Sequence, residues 1–194
     1  MTAQAQADLL AGARWRWTAE LYERAAKEGF FEPGPRVELL DGEVLTISPV
    51  LPEHSAVLGL LEEFAHQQLD RTRWAVRSQR PVRLADDWVP EPDLAIAVGM
   101  TGDYRERHPG PGDIALVVEV SDTSLARDHN IKIPAYAAAR IPWAWLVLLP
   151  EKTLTIYSEP SPGERRFQHE AVLRPGETAT HLPTGLTVPV AGLF

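Results

Sequence analysis

The stretch "IALVVEVSD", residues 114–122, is an apolar run of strand length that carries a glutamate, Glu119, in its interior. A second run, "PEPDLAIAV" at residues 90–98, begins its apolar part directly after Asp93. A carboxylate among buried apolar side chains is costly unless it has a partner. If the two runs are antiparallel neighbours, the start of one and the end of the other meet at the same end of a sheet. The sequence therefore predicts that Asp93 and Glu119 share a cleft.

Two neighbouring carboxylates repel each other unless a proton or a metal ion lies between them. Because the candidate ligands are oxygens, the predicted metal is Mg²⁺ or Mn²⁺. The chain has no cysteine, which excludes disulfides and thiolate metal sites. Without metal, at least one of the two carboxylates is expected to titrate above its usual pKa. The alternative for Asp93 is a turn cap after Pro92.

Lys132 lies 13 residues after Glu119, at the start of a predicted helix that carries "YAAAR". From that position its side chain can reach back over the sheet end, where it would neutralise the carboxylates and hold or deprotonate an attacking water. The alternative is an ordinary surface lysine. Asp93, Glu119 and Lys132 are the three candidate catalytic residues.

The remaining elements indicate a mixed α/β (α+β) class, one sheet with flanking helices. The whole chain, 1–194, reads as one domain with a core over roughly 36–160 and a short-stranded C-terminal extension over 161–194. The predicted elements are an N-terminal helix over 18–29, a hairpin over 36–49 with an Asp41-Gly42 turn, an amphipathic helix over 54–70, strands at 73–78, 81–85, 93–98 and 114–121, a helix near 128–140, and strands at 143–149 and 153–159.

Composition limits the possible partners. The net charge of −8 argues against a protein that coats DNA through general electrostatics. A small positive track is still possible, because a strand over the basic segment would place four arginines on one face: Arg71, Arg73, Arg77 and Arg83. The alternative, somewhat favoured, is an edge strand protected by charge. No stretch approaches the roughly 20 apolar residues that span a bilayer, and the first residues lack the pattern of a secretion signal, so a cytoplasmic protein is expected.

Asp93, Glu119 and Lys132 resemble the signature of the PD-(D/E)XK nuclease superfamily, in which two acidic residues on neighbouring strands hold Mg²⁺ and a lysine completes the site. The lysine usually stands two residues after the second acid, where this chain has Ser121. Three stretches resemble one branch, the Uma family of restriction-endonuclease-like proteins: 37–49, 82–98 and 116–147. In that branch the lysine is thought to have moved to the following helix, which matches Lys132.

The resemblance covers roughly residues 18–160 and implies a restriction-endonuclease-like core, which is a central mixed sheet flanked by helices, with an extra N-terminal helix and hairpin. It also implies supporting roles for Glu38 and His54, and Ser121 is a third supporting candidate. The implied function is a Mg²⁺-dependent DNA endonuclease that hydrolyses phosphodiester bonds and works as a homodimer. Two alternatives stay open: a catalytically inactive nuclease-fold protein that binds nucleic acid or protein, and a magnesium-dependent hydrolase of another phosphate ester.

Overall fold

The computed structural model describes residues 15–122 and 128–194, with the backbone alone for Asp128 and His129. Most of the stretch read for a secretion signal, residues 1–14, lies outside these ranges, as do residues 123–127 between Glu119 and Lys132. Within the described ranges, no helix is long and apolar enough to cross a membrane.

Within the described ranges, three α-helices and ten strands follow one another. In order they are α1 (Ala19–Lys27), β1 (Val37–Leu40), β2 (Glu43–Thr46), α2 (Pro52–Gln68), β3 (Trp74–Ser78), β4 (Leu94–Val98), β5 (Ile114–Ser121), α3 (Ile133–Ala138), β6 (Trp143–Leu148), β7 (Thr153–Ser161), β8 (Arg166–Leu173), β9 (Thr178–His181) and β10 (Leu186–Pro189).

Six of the strands form the central sheet, in the order β3-β4-β5-β6-β7-β8. Neighbours are antiparallel except for β5 and β6, which are parallel, so the sheet is mixed as predicted. Leu94 of β4 lies opposite Val118 of β5, which puts Asp93, the residue before β4, next to Glu119 at one end of the sheet. The β4–β5 pairing therefore brings together two carboxylates that are 26 residues apart in the sequence.

The two faces of the sheet carry separate hydrophobic clusters. On one face, α2 packs through Val57, Leu61 and Ala65 against alternate residues of the sheet, with β9 and β10 beside it. On the other face, α3 packs with the loop that follows β3. Burying a side chain of the size of Leu or Val contributes about 1.5–3 kcal/mol, so both faces are held by many such contributions. Both faces of the sheet that carries Asp93 and Glu119 at its end are thus covered by packed apolar side chains.

Residues 81–85 do not form the predicted strand. They fold back on the next residues, with Val82 N donating to Pro90 O at 3.0 Å and Leu84 N to Trp88 O at 2.9 Å. The physical reason is that Pro81 has no N–H to offer a neighbouring strand and that the two aspartates 86–87 turn the chain at once. Arg83 therefore does not share a strand face with Arg77.

The predicted helix near 128–140 is shorter and begins differently. A π-helical turn covers Asp128–Lys132, and α3 follows from Ile133. Pro134 stands at the second position of α3, where its missing N–H has little effect on the helix. Lys132 thus lies at the junction of the π turn and α3.

The C-terminal residues, expected to form an extension, contribute to the main structure. β8 joins the central sheet beside β7, and β10 packs on α2. Ala179, Leu186 and Val188 are fully buried in the cluster that α2 covers. Gln68, the last residue of α2, accepts hydrogen bonds from the backbone N of Thr187 at 2.9 Å and its hydroxyl at 2.8 Å, and donates to its carbonyl at 2.8 Å.

Candidate active site

A cleft opens at the end of the sheet where β4 begins and β5 ends. Its walls are the first hairpin, the loop 47–51, the start of α2 and the π turn, and its cavity volume is about 80 Å³. Asp93, Glu119 and Lys132, the three candidate catalytic residues, all line this cleft, together with Glu38 and His54.

Asp93 is held at the entry of β4 by three donors. Its Oδ2 accepts from the backbone N of Val120 at 2.9 Å and lies 3.1 Å from Nε2 of His54, while Gln79 donates to Oδ1 at 3.4 Å. Burial opposes ionisation, but His54, the Val120 amide and the charge of Lys132 outweigh it and hold the pKa of Asp93 below its usual value. A raised pKa was expected for one of the paired carboxylates; for Asp93 the shift is the opposite, because these partners favour the charged form.

Glu119 is buried within β5 and has a different partner for each carboxylate oxygen. Its Oε2 lies 3.3 Å from Nζ of Lys132, and its Oε1 accepts a hydrogen bond from the hydroxyl of Tyr136. The unfavourable transfer of this carboxylate into the strand interior is thus offset by one cation and one neutral donor.

Lys132 is not a surface lysine. Its side chain is 7 % exposed, and its Nζ lies 3.3 Å from Oε2 of Glu38 and 3.3 Å from Oε2 of Glu119. It also donates to the backbone carbonyl of Glu91 at 3.1 Å. An ammonium has three N–H donors, and here three oxygens lie within 3.3 Å of it, so each donor has an acceptor.

The supporting candidates fall in different places. Glu38 is buried on β1, where its Oε2 also accepts from the backbone N of Glu91 at 3.2 Å. His54 stands in the first turn of α2 and contacts Asp93. Ser121 is buried at the end of β5, where its carbonyl accepts from Leu149 N at 3.0 Å, and it does not line the cleft.

The sequence analysis did not identify four further residues in or next to the cleft: Arg36, Gln79, Glu91 and Tyr136. Arg36 forms an ion pair with Glu91 and donates to Oε1 of Gln79 at 3.1 Å. Burial raises the pKa of Glu91, and Arg36 works against that rise. The fourth is Tyr136, whose signal in the sequence is its spacing of four residues from Lys132, one helical turn.

The four arginines of the expected track are not brought together at the cleft. Arg77 is buried, with its guanidinium over the ring of Tyr104 at 5.3 Å. Arg83 pairs with Glu23 at 3.5 Å, and Arg71 lines a separate cavity near the end of α2. Arg73 lies in the turn before β3.

The chemistry of the donor set fits a hard divalent cation. The described residues lining the cleft include five acidic side chains, Glu38, Glu91, Asp93, Glu119 and Asp122, against two basic ones, Arg36 and Lys132, and His54. Oxygen donors with an excess of negative charge suit Mg²⁺ or Mn²⁺, which keep several waters as ligands. Among the side chains that the structure describes, 15–122 and 130–194, however, no three His, Asp or Glu residues are already arranged as a metal site.

Comparisons with known proteins identify the family and support the fold. The model of the Uma2 family, described as "Putative restriction endonuclease", matches residues 19–191. A search of curated proteins gave no match. Among solved structures, the chain is similar to a "putative nuclease belonging to DUF820" from Anabaena variabilis, with a TM-score of 0.62 at 18 % identity over 82 % of this chain and 90 % of that one. At that identity the likeness shows a shared fold.

Proposed function

Because the chain belongs to the Uma2 family of putative restriction endonucleases, we propose that it is a Mg²⁺-dependent DNA endonuclease whose catalytic residues are Asp93, Glu119 and Lys132. The observation that carries the proposal is the position of the buried Lys132 ammonium, 3.3 Å from the carboxylate of Glu119 in the cleft that Asp93 also lines. Structural ion pairs are common, but a lysine buried beside carboxylates at the mouth of a cleft is typical of a catalytic site.

Asp93 and Glu119 would hold the divalent ion, Mg²⁺ or Mn²⁺. When bound, such an ion binds an oxygen of the scissile phosphate and lowers the pKa of a water molecule. Asp93 suits this role because the partners that lower its pKa favour the ionised carboxylate, which is the form that binds a cation. Glu119 offers Oε2 on the side that faces Lys132.

Lys132 would orient the attacking water and offset the negative charge that develops on the phosphate oxygens. Its contacts with Glu38, Glu119 and the carbonyl of Glu91 support an electrostatic role over a role as base, because all three partners are acceptors that an ammonium satisfies by donating. The water oxygen forms a bond to phosphorus as the bond from phosphorus to the departing sugar oxygen breaks, and the proton of the water leaves to solvent or to the departing oxygen. Glu38 and His54 would keep Lys132 and Asp93 in place.

A DNA duplex has two strands, and one such site cuts one strand, so we extend the proposal to a homodimer with two sites. The proposed location is the cytoplasm, where a DNA substrate is available. DNA as substrate follows from the family description, since the four arginines of the expected track do not converge on the cleft.

The test is incubation of supercoiled and linear DNA with the protein across a range of Mg²⁺ and Mn²⁺ concentrations. The wild type should nick or linearise DNA only with metal, and Asp93→Ala and Glu119→Gln should lower the rate at least 100-fold. Glu63→Gln, which changes an exposed acid on α2, is the matched control and should cut at the wild-type rate. Equal rates for Asp93→Ala and the wild type would overturn the assignment.

One observation favours the second candidate, a non-catalytic binding protein. The described residues contain no ready group of three metal ligands, and Lys132 already satisfies Glu119. If the wild type binds DNA in a mobility-shift experiment but cuts none with either metal, this candidate replaces the nuclease.

A further inference from the structure

Glu119 is bound by two side chains of one short segment. Lys132, at the end of the π turn, contacts Oε2, and Tyr136, in α3, donates to Oε1. The two residues are four apart, so they project from the same side of the segment toward β5. The carboxylate is therefore held at both oxygens by a single turn of helix.

The two contacts differ in charge and in surroundings. Lys132 lines the cleft and carries a positive charge, whereas Tyr136 is fully buried, belongs to the hydrophobic cluster under α3 and does not line the cleft. A cation cancels the charge of the carboxylate that it contacts. A neutral hydroxyl fixes the position of the carboxylate and leaves its negative charge in place.

We infer that Tyr136 is a positioning residue, which holds Oε1 of Glu119 toward the core so that Oε2 is the oxygen presented to the cleft. This inference rests on the proposed function, since the oxygen matters only if a divalent cation binds there. Partners that orient a metal-binding carboxylate commonly change metal affinity 10- to 100-fold when they are removed.

The test is Mn²⁺ binding by Tyr136→Phe, measured from the spectroscopic signal of free Mn²⁺ and by calorimetry. The substitution keeps the buried ring and removes one hydroxyl, so we expect about a 10-fold or greater loss of Mn²⁺ affinity. The rise in melting temperature on adding Mn²⁺ should shrink in parallel. Tyr157→Phe, which removes a hydroxyl from the same hydrophobic cluster on β7, away from the cleft, should bind Mn²⁺ as the wild type does.

A purely structural role would lower the melting temperature of the metal-free protein and leave Mn²⁺ affinity unchanged, and that outcome would overturn the inference. A second variant isolates the hydrogen bond: 4-aminophenylalanine at position 136 keeps the ring and restores a donor. It should recover most of the lost affinity, and failure to do so in a folded protein would also overturn the inference. If the wild type itself binds no Mn²⁺, the proposed function fails first and this inference fails with it.

Discussion

Nε2 of His54 lies 3.1 Å from Oδ2 of Asp93, the same oxygen that accepts the backbone N–H of Val120 at 2.9 Å. One carboxylate oxygen thus joins the first turn of α2 to the end of β5. His54 reaches this oxygen from the helix and contributes to the low pKa of Asp93.

Removing this contact should lower the unfolding free energy and should reduce the amount by which that free energy falls at acidic pH. His54→Ala deletes a hydrogen bond to a charged group, so we expect a loss of about 2 kcal/mol in unfolding free energy at neutral pH. Because Asp93 has a depressed pKa in the folded state, its contribution is present above the pKa of the unfolded chain and is lost as pH falls through the folded pKa. The variant should therefore lose less stability on acidification than the wild type.

Urea unfolding of the metal-free protein at neutral and acidic pH measures both effects. His66→Ala, which alters an exposed histidine in the last turn of α2, is the control and should match the wild type. If His54→Ala loses as much unfolding free energy on acidification as the wild type does, the imidazole does not hold Asp93 ionised.

A second pH effect should come from His181, far from the cleft. This residue ends β9, and its side chain is fully buried against the tryptophans of β6. Its ring centroid lies 5.4 Å from that of Trp143, and burial lowers its pKa to about 4. The unfolded chain binds a proton near pH 6.5, so the stability due to a neutral His181 is complete above that pH and is lost as pH falls toward 4. The difference in pKa between the unfolded chain and the folded protein corresponds to a loss of about 3 kcal/mol in unfolding free energy.

Chemical unfolding at several pH values between 7 and 4 checks this effect. His181→Gln should flatten the pH dependence in that window, although it lowers stability at pH 7. His169→Gln changes an exposed histidine on β8 and should leave the slope as it is. If the unfolding free energy of His181→Gln changes with pH as steeply as that of the wild type, other groups cause the pH dependence.

Local chemistry made part of this fold predictable. The Asp41-Gly42 pair adopts positive φ at both residues, 49° and 70°, which is the conformation that a tight two-residue hairpin requires and that these residues tolerate. The apolar runs after Asp93 and before Ser121 became β4 and β5 with nearly the predicted ends. In these places the local sequence and the final packing favour the same structure.

What the sequence could not provide depends on distant partners. The loop over 81–85 has strand-like composition. Val82 and Leu84 donate to its own return segment, whereas Arg83 N donates to Pro109 O at 2.9 Å, and only the prolines and aspartates around the loop indicate this fold. Glu38 alternates along β1 as a solvent-facing residue would, yet it is buried because Lys132, 94 residues later, supplies a counter-charge. Periodicity carries no information about such a partner.

Strands β9 and β10 form an antiparallel pair, and the docking of this pair on α2 should depend on Gln68. Gln68→Ala removes three hydrogen bonds to Thr187. Because the position is exposed, water replaces these bonds in part, so we expect the unfolding free energy to fall by about 1–2 kcal/mol. Amide exchange at Thr187 should accelerate more than exchange in β5. Gln67→Ala, one residue earlier and exposed, is the control, and equal exchange in both variants would show that Gln68 does not hold β10.

The last prediction concerns Lys132, which joins the proposed chemistry to the stability of the fold. Lys132→Met keeps most of the side-chain volume but leaves Glu38 and Glu119 buried without their cation. Breaking a buried ion pair by removing one partner costs about 3–5 kcal/mol, so the metal-free variant should unfold at a clearly lower urea concentration. DNA cleavage should be lost as well, and Lys132→Arg should not restore it, because a planar guanidinium does not replace a compact ammonium in this space.

Metal should then distinguish the two roles of the lysine. In Lys132→Met, Mn²⁺ no longer competes with an ammonium for Oε2 of Glu119, so its affinity should equal or exceed that of the wild type. Mn²⁺ should therefore raise the melting temperature of the variant at least as much as that of the wild type while cleavage stays absent. Lys27→Met, at the exposed end of α1, should behave as the wild type in every measurement. Wild-type cleavage by Lys132→Met would remove the lysine from the catalytic residues, and a loss of Mn²⁺ binding would mean that Lys132 supports the metal site where we expect it to compete with the metal.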